Sequence, residues 1–217
     1  MNVLFIFAHP DDEAYGPAGT IAKFAQGNDV TVLSLCMGDR PGSEDVAFSR
    51  QKAFKESCDL LGAAGVMLDY SDCQLEYPST LKSIEIAIKE YQPELVFTHN
   101  ISDLHRDHRT VADACMVACR PTVTSTVRAL YMCEMASSTN WTFGKIEPVF
   151  TPNFFIDISK HIDAKEKAMS LYQTELHEFP DARSITSMKA LAMQRGTQVG
   201  ASFAEAFQLV FAHDRDI

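Results

Sequence analysis

Two short runs of the 217-residue chain combine imidazoles and carboxylates at spacings that suit chemistry. The first is His9-Pro10-Asp11-Asp12-Glu13 and the second is His105-Arg106-Asp107-His108. Three successive carboxylates repel one another and resist desolvation, so such a cluster calls for positive charge within it. A divalent metal supplies that charge, and His9 and Asp12 offer a nitrogen and an oxygen ligand three residues apart. A plainer reading also fits the first run taken alone. Asp11 and Asp12 would then cap a following helix, because carboxylates favour helix N-termini. His105 or His108, taken singly, reads better as an ordinary surface or core histidine.

The elements around the two runs decide where they lie. Val3–Ala8 is a six-residue apolar run, too short for a helix and rich in the residues that suit a strand buried on both faces. Further strands are predicted at Asp29–Cys36, Val66–Tyr70 and Leu95–His99. Helices are predicted over about 18–26, 47–61, Ser79–Tyr91 and Thr110–Cys119, and Met37–Asp45 reads as a polar loop. Strand and helix alternate four times, the pattern of an α/β, three-layer Rossmann-like sheet, mostly parallel, with helices on both faces. Right-handed crossovers favour the strand order 3-2-1-4 and place strands 1 and 4 side by side at the switch point where ligands bind. Strand 1 ends at His9 and strand 4 ends just before His105–His108, so the two runs meet in one crevice. Beyond them, strands at 129–134 and 153–158 are expected. A helix capped by Ser159 should run to about Leu176, followed by a loop over 177–183, a helix over 185–194 and a short apolar run at 209–211.

If the runs meet, His9, Asp12 and His108 form a two-nitrogen, one-oxygen ligand set that suits catalytic zinc and leaves a position for water. Iron or cobalt would suit the same donors. Zinc-bound water and a polarised carbonyl make amide hydrolysis feasible at neutral pH. Asp11, adjacent to a ligand but free to point elsewhere, is the expected general base. His105 is expected to stabilise the tetrahedral intermediate as an imidazolium. Asp107 is expected to orient a histidine from behind, and Glu13 to support the loop or cap the helix.

Composition narrows the classes further. With 19 basic and 29 acidic side chains the formal charge is −10, which argues against a nucleic-acid or anionic-membrane partner. Six cysteines without a Cys-x-x-Cys pair read as reduced thiols, and Cys115 and Cys119 as core packing. The N-terminus lacks the features of a signal peptide and no apolar run is long enough to span a membrane, so a cytoplasmic protein of one domain, 1–217, is expected. Homo-oligomerisation is left open. A phosphate-cradling Gly-rich loop and a Gly-x-Ser-x-Gly elbow are both lacking, which disfavours a nucleotide-binding module and a serine hydrolase. A metal amidase on a non-sugar N-acyl compound remains a second reading.

These motifs also carry a family resemblance. His9-Pro10-Asp11-Asp12-Glu13 after a first strand, followed later by His105-x-Asp107-His108, resembles the LmbE-like, PIG-L-type N-acetylglucosaminyl deacetylases. Arg50 before Leu60-Leu61-Gly62, Arg195-Gly196 and Ala204-Glu205-Ala206-Phe207 are similar to further family segments. The resemblance implies zinc on His9, Asp12 and His108, Asp11 as base, His105 stabilising the transition state, and a small N-acetylglucosamine-type sugar or conjugate as substrate. It also implies that Arg50 touches substrate, although a helix-surface arginine fits that position equally. Arg106 departs from the family pattern, which often has proline there. The segment 134–152, with Trp141 and Phe143, is expected to shape specificity, with ring packing as the plainer role for Trp141, and His99 to lie near the crevice.

Overall fold

The computed structural model describes residues 1–39 and 44–214; of the polar loop expected over 37–45, residues 40–43 lie outside the described residues. The chain begins with β1 (Asn2–Phe7), α1 (Asp12–Tyr15), α2 (Ala18–Phe24), β2 (Asp29–Cys36) and α3 (Glu44–Leu61). It continues through β3 (Ala64–Tyr70), α4 (Tyr77–Tyr91), β4 (Leu95–Thr98), α5 (Arg106–Ala118) and β5 (Ala129–Cys133). It closes with β6 (Phe154–Asp157), α6 (Ile162–Leu171), α7 (Ile185–Thr197) and β7 (Ala204–Ala212). The strands form one sheet in the order β3-β2-β1-β4-β5-β7-β6. The expected 3-2-1-4 unit is present, and β1 to β5 run parallel. β7 lies between β5 and β6 and runs antiparallel to both.

The alternation of side chains along β1 explains the three layers. Val3, Phe5 and Phe7 enter one core with residues of α2, α3 and α6, whereas Leu4, Ile6 and Ala8 enter the other with residues of α4 and α5. Both faces are covered, so an uninterrupted apolar strand is what burial requires. Phe5, Phe97 and Tyr131 stack across β1, β4 and β5, each pair with centroids 4.6 Å apart and planes 12° off parallel. This ladder pins the register of β1 to β4 (Phe5 opposite Phe97, Ile6 opposite Thr98), so both strands end level at the crevice.

Three expectations need correction. Helix α5 starts at Arg106 rather than near Thr110, because the His105 imidazole caps it by accepting from the Asp107 N–H. Helix α6 spans Ile162–Leu171, short of the expected 159–176. Ser159 does not cap it; its hydroxyl donates to Asp157 Oδ1 at 2.6 Å and accepts from Phe203 N. The short run at 209–211 is part of a nine-residue strand, β7. Its pattern is broken in sequence by Glu205, a buried carboxylate that Lys165 and the N–H groups of Gly19 and Thr20 satisfy. Glu205 thereby caps α2 from a distant strand. All six cysteines are free; Cys115 and Cys119 are core residues, and only Cys73 is exposed. Among the described residues no helix is long and apolar enough to cross a membrane.

Candidate active site

The histidines and most carboxylates of the crevice sit just beyond a strand or open a helix. His9 and Asp12 follow β1, Asp72 follows β3, His99 follows β4, and His105–His108 form the cap and first turn of α5. The two runs meet. His9 Nδ1 lies 3.2 Å from His108 Nε2. Asp12 places Oδ1 3.2 Å from His108 Nε2 and Oδ2 3.5 Å from His9 Nδ1. Behind the rings stand further carboxylates. His9 Nε2 is 2.9 Å from Asp72 Oδ1 and 3.1 Å from Asp107 Oδ2, and His108 Nδ1 is 3.1 Å from Asp103 Oδ1. These partners hold the ring N–H outward and aim the remaining nitrogen of each ring at the common point.

The electrostatics record a demand for positive charge at that point. Burial opposes protonation of His9, yet hydrogen bonds to Asp107, Asp12 and Asp72 hold its pKa well above the ordinary value. Burial likewise works against His108, and Asp12 and Asp103 outweigh it, raising the group to about 9. Asp12 is buried too, but His108 and His99 keep its carboxyl well below the usual range. Without another cation, the carboxylates recruit protons onto the imidazoles.

Around this centre the roles separate. Asp11 adopts a φ of 138°, a strained conformation for a residue with a side chain. Its Oδ2 is held by Arg183 Nη2 at 2.7 Å and Arg50 Nη2 at 3.3 Å. Arg50 is buried, not a helix-surface residue, and also pairs with Asp72 at 3.4 Å and donates to Gly38 O. Glu13 is wholly buried; it accepts from Asp11 N and from the Tyr172 hydroxyl at 2.6 Å, and burial raises its carboxyl to about 7. It supports the loop. His105 accepts at Nδ1 from Asp107 N, and burial together with His9 and His108 lowers its pKa. With Nδ1 accepting, Nε2 is the nitrogen that carries a proton, and the lowered pKa runs against the imidazolium expected. His99 accepts from Ala8 N at 2.9 Å and stacks on His108 at 3.8 Å, and burial pushes it down to about 4.

A cavity of about 100 Å³ opens over this centre, lined by His9, Asp11, Asp12, Arg50, His105, His108 and Arg183 among others. Among the described residues, three overlapping sets have ligand atoms close enough to share an ion: His9, His105 and His108; His9, Asp72, His105 and Asp107; and Asp12, His99 and His108. The set expected from sequence cuts across these. A tetrahedral centre with ligands about 2.0–2.1 Å away spaces neighbouring ligand atoms about 3.3–3.4 Å apart. His9 Nδ1 and His108 Nε2 are 3.2 Å apart, close to that spacing, and each faces a different oxygen of Asp12, Oδ2 at 3.5 Å and Oδ1 at 3.2 Å. His99 and His105 fit less well, because the nitrogen each would offer is either accepting a backbone N–H or protonated.

Sequence reading left Asp72, Asp103, Glu175 and Arg183 unassigned. Asp72 follows the end of a parallel strand, so the same rule that selected His9 would have found it. Asp103 lies inside the second polar run. Arg183 carries no such signal: it belongs to a loop 172 residues from Asp11 and is placed by stacking on the Tyr15 ring at 4.3 Å and by pairing with Glu175 at 2.8 Å.

Fold and site together define an α/β protein of the parallel, doubly covered type, with a histidine–carboxylate centre at its switch point. The chain belongs to the PIG-L family: the family described as GlcNAc-PI de-N-acetylase matches residues 4–119, from β1 to just past α5. A probable N-acetyl-alpha-D-glucosaminyl L-malate deacetylase 2 from Bacillus anthracis is 33% identical over 129 residues, 52% of this chain and 57% of that protein. The chain thus matches little more than half the length of that relative. Diacetylchitobiose deacetylase from Thermococcus kodakarensis is 27% identical over 225 residues, covering 96% of this chain and 83% of that protein. Among solved structures, N,N'-diacetylchitobiose deacetylase from Pyrococcus horikoshii superposes with a TM-score of 0.74 at 24% identity, over 96% of this chain and 83% of that one. The 4-carboxy-2-hydroxymuconate hydratase from Pseudomonas putida KT2440 superposes with a TM-score of 0.76 at 21% identity, over 100% and 99%. These two likenesses establish the fold. A deacetylase and a hydratase share it, so activity has to be argued from the site.

Proposed function

We propose that this chain is a zinc-dependent hydrolase that removes the N-acetyl group from an N-acetylglucosamine-type sugar or sugar conjugate. The observation that carries the reading is that His9 Nδ1 and His108 Nε2 lie 3.2 Å apart with the two oxygens of Asp12 against them, at 3.5 Å and 3.2 Å, and with a carboxylate behind each ring. Two imidazole nitrogens facing a carboxylate, with carboxylates behind both rings, suit a divalent ion in donor type, ring orientation and charge. Zinc bound there would lower the pKa of a water molecule and polarise the acetamide carbonyl. Iron or cobalt is chemically compatible with the same donors.

The chain's own residues do the remaining work. Asp12 and the two histidines hold the ion, while Asp72, Asp107 and Asp103 fix the ring orientations. Asp11 is the general base. Its Oδ2 is tied to Arg183 and Arg50, which leaves Oδ1 to accept the proton of the attacking water. His105 presents Nε2–H, which can donate a hydrogen bond to the developing oxyanion, and the proton that Asp11 takes from water can pass to the departing amine. Arg50 acts mainly through Asp11 and Asp72 and also lines the cavity. His9 and Arg183, far apart in sequence, line one cavity, which supports reading the chain as a single domain. Five buried free thiols suit a reducing compartment, in keeping with a cytoplasmic enzyme. Metal analysis combined with acetate release from N-acetylglucosamine conjugates and from simple N-acyl amines tests the reading. A bound divalent metal and selective release from the sugars is expected. Hydrolysis that survives complete chelation would overturn it, and preference for non-sugar amides would reassign the substrate.

A further inference from the structure

Beside the catalytic cavity lies an open groove of about 390 Å³, with His105, Ser137 and Ser138 in the wall that the two share. We propose that this groove binds the group attached to the amino sugar, and that it takes a flat apolar group bearing an anion. The proposal rests on the deacetylase reading of the adjoining centre and adds the chemistry of the substrate's other half.

Size makes the first argument. Sites for whole small molecules run from about 300 Å³ upward. The inner cavity, at about 100 Å³, is too small for more than the reacting end of a conjugate. What remains must lie in the groove that opens from it. The lining gives the second argument. Leu104 and Trp141 are 46% and 43% exposed and present apolar surface in the groove. An aromatic face beside an aliphatic side chain suits a flat ring.

Charge gives the third. Arg106 is exposed in the groove, and among the described residues no carboxylate stands within ion-pair distance of it. The other charged group there, Asp107, is already engaged, accepting from Cys73 N at 2.7 Å and lying 3.1 Å from His9. Arg106 also opens α5, so the positive end of a 13-residue helix reinforces it. In a chain of formal charge −10, an unpaired arginine at the mouth of a site is a local departure that favours an anion. The walls are held in place. Leu104 N donates to Ser138 O at 3.1 Å, Ser138 Oγ to Asp103 Oδ2 at 2.8 Å, and Trp141 N to Ser137 O at 2.8 Å.

The test uses the phenyl and 4-carboxyphenyl β-glycosides of N-acetylglucosamine as substrates and the corresponding free amines as ligands. Wild-type protein is expected to show a higher kcat/KM for the carboxyphenyl than for the phenyl glycoside. Arg106→Ala should reduce that ratio about tenfold, the scale of one charge-assisted contact. Trp141→Ala should weaken both glycosides together and leave their ratio intact. Calorimetry with the two amines should show the same Arg106-dependent preference without any turnover. No hydrolysis of either glycoside, with that binding preference present, would remove the deacetylase reading and keep the groove. Equal binding of the two amines by wild type, or a ratio unmoved by Arg106→Ala, would overturn the proposal.

Discussion

The stretch from β1 to α5 and the stretch from β5 to β7 contribute to one site in different ways. The first supplies the histidines and most carboxylates of the centre: His9, Asp12, Asp72, His105, Asp107 and His108 all lie at strand ends or in the opening turn of a helix. The second supplies what holds them. Arg183 and Glu175 brace Asp11 and Arg50, Tyr172 bonds Glu13, and Lys165 with Glu205 ties β7 to the start of α2. A parallel sheet aims its strand ends at one crevice by topology alone. Bracing groups arrive through loops and an inserted antiparallel strand, so their positions depend on the finished fold.

Substitutions in the first stretch should therefore abolish chemistry. His108→Ala removes a donor from the centre. It should lose metal and, with several kcal/mol of stabilisation gone, lower turnover by about 10³-fold or more. Metal analysis beside acetate-release rates checks both. Asp11→Ala should keep its metal while turnover falls about 10² to 10⁴-fold, the range for a general base. Normal turnover in Asp11→Ala would remove that assignment.

Substitution in the second stretch should instead cost stability. Lys165 donates to Glu205 at 2.7 Å and to Gly16 O, both partners being buried. Lys165→Met leaves Glu205 buried with its cation gone, which typically costs about 3–5 kcal/mol. Denaturant unfolding should show the loss, while metal content per folded molecule stays at the wild-type level. A large fall in metal content without a fall in stability would break the division between the two stretches.

Legibility in the sequence followed the same division. The order of the first four strands and the meeting of the two runs could be read from short-period patterns, because apolar strands and strand-end ligands are local signals. The early start of α5 was hidden because histidine is not among the usual capping residues, and the identity of β7 because Glu205 interrupts its pattern. Arg183 has no local signature; only Tyr15, Asp11 and Glu175 brought together in space explain its place. Asp72 and Asp103 were legible in principle, one at a strand end and the other within a polar run already marked.

Glu13 gives a pH-dependent test of how tightly the two stretches are joined. It lies in the first, and its hydrogen bond from Tyr172 comes from the second. Burial raises its carboxyl from 4.5 to about 7, so the folded state binds this proton more tightly than the unfolded chain. Its contribution is fully present below pH 4.5 and is lost as pH rises through about 7. Glu13→Gln keeps a neutral side chain of the same shape. It should match wild type near pH 4 and exceed it in stability by about 3 kcal/mol above pH 8. Parallel stability curves for the two proteins across this range would show that Glu13 does not titrate on its own burial.

Asp103 is the smallest of these expected effects and the sharpest test of the comparison, because it lies in the first stretch and is bonded to the second through Ser138. Its carboxylate accepts from His105 N at 2.8 Å and from Ser138 Oγ at 2.8 Å, and it lies 3.1 Å behind His108. Burial would raise its pKa, but His108 and the hydrogen bonds keep the carboxyl below the usual value, so it stands as an anion behind the ring. Asp103→Asn keeps the shape and removes that charge. If Asp103 orients His108 and raises its basicity, metal affinity should fall about 10 to 100-fold, while turnover at saturating metal changes less. Equal affinity in the two proteins would mean that the ring is held by packing against His99, and the bracing role would pass from charge to stacking.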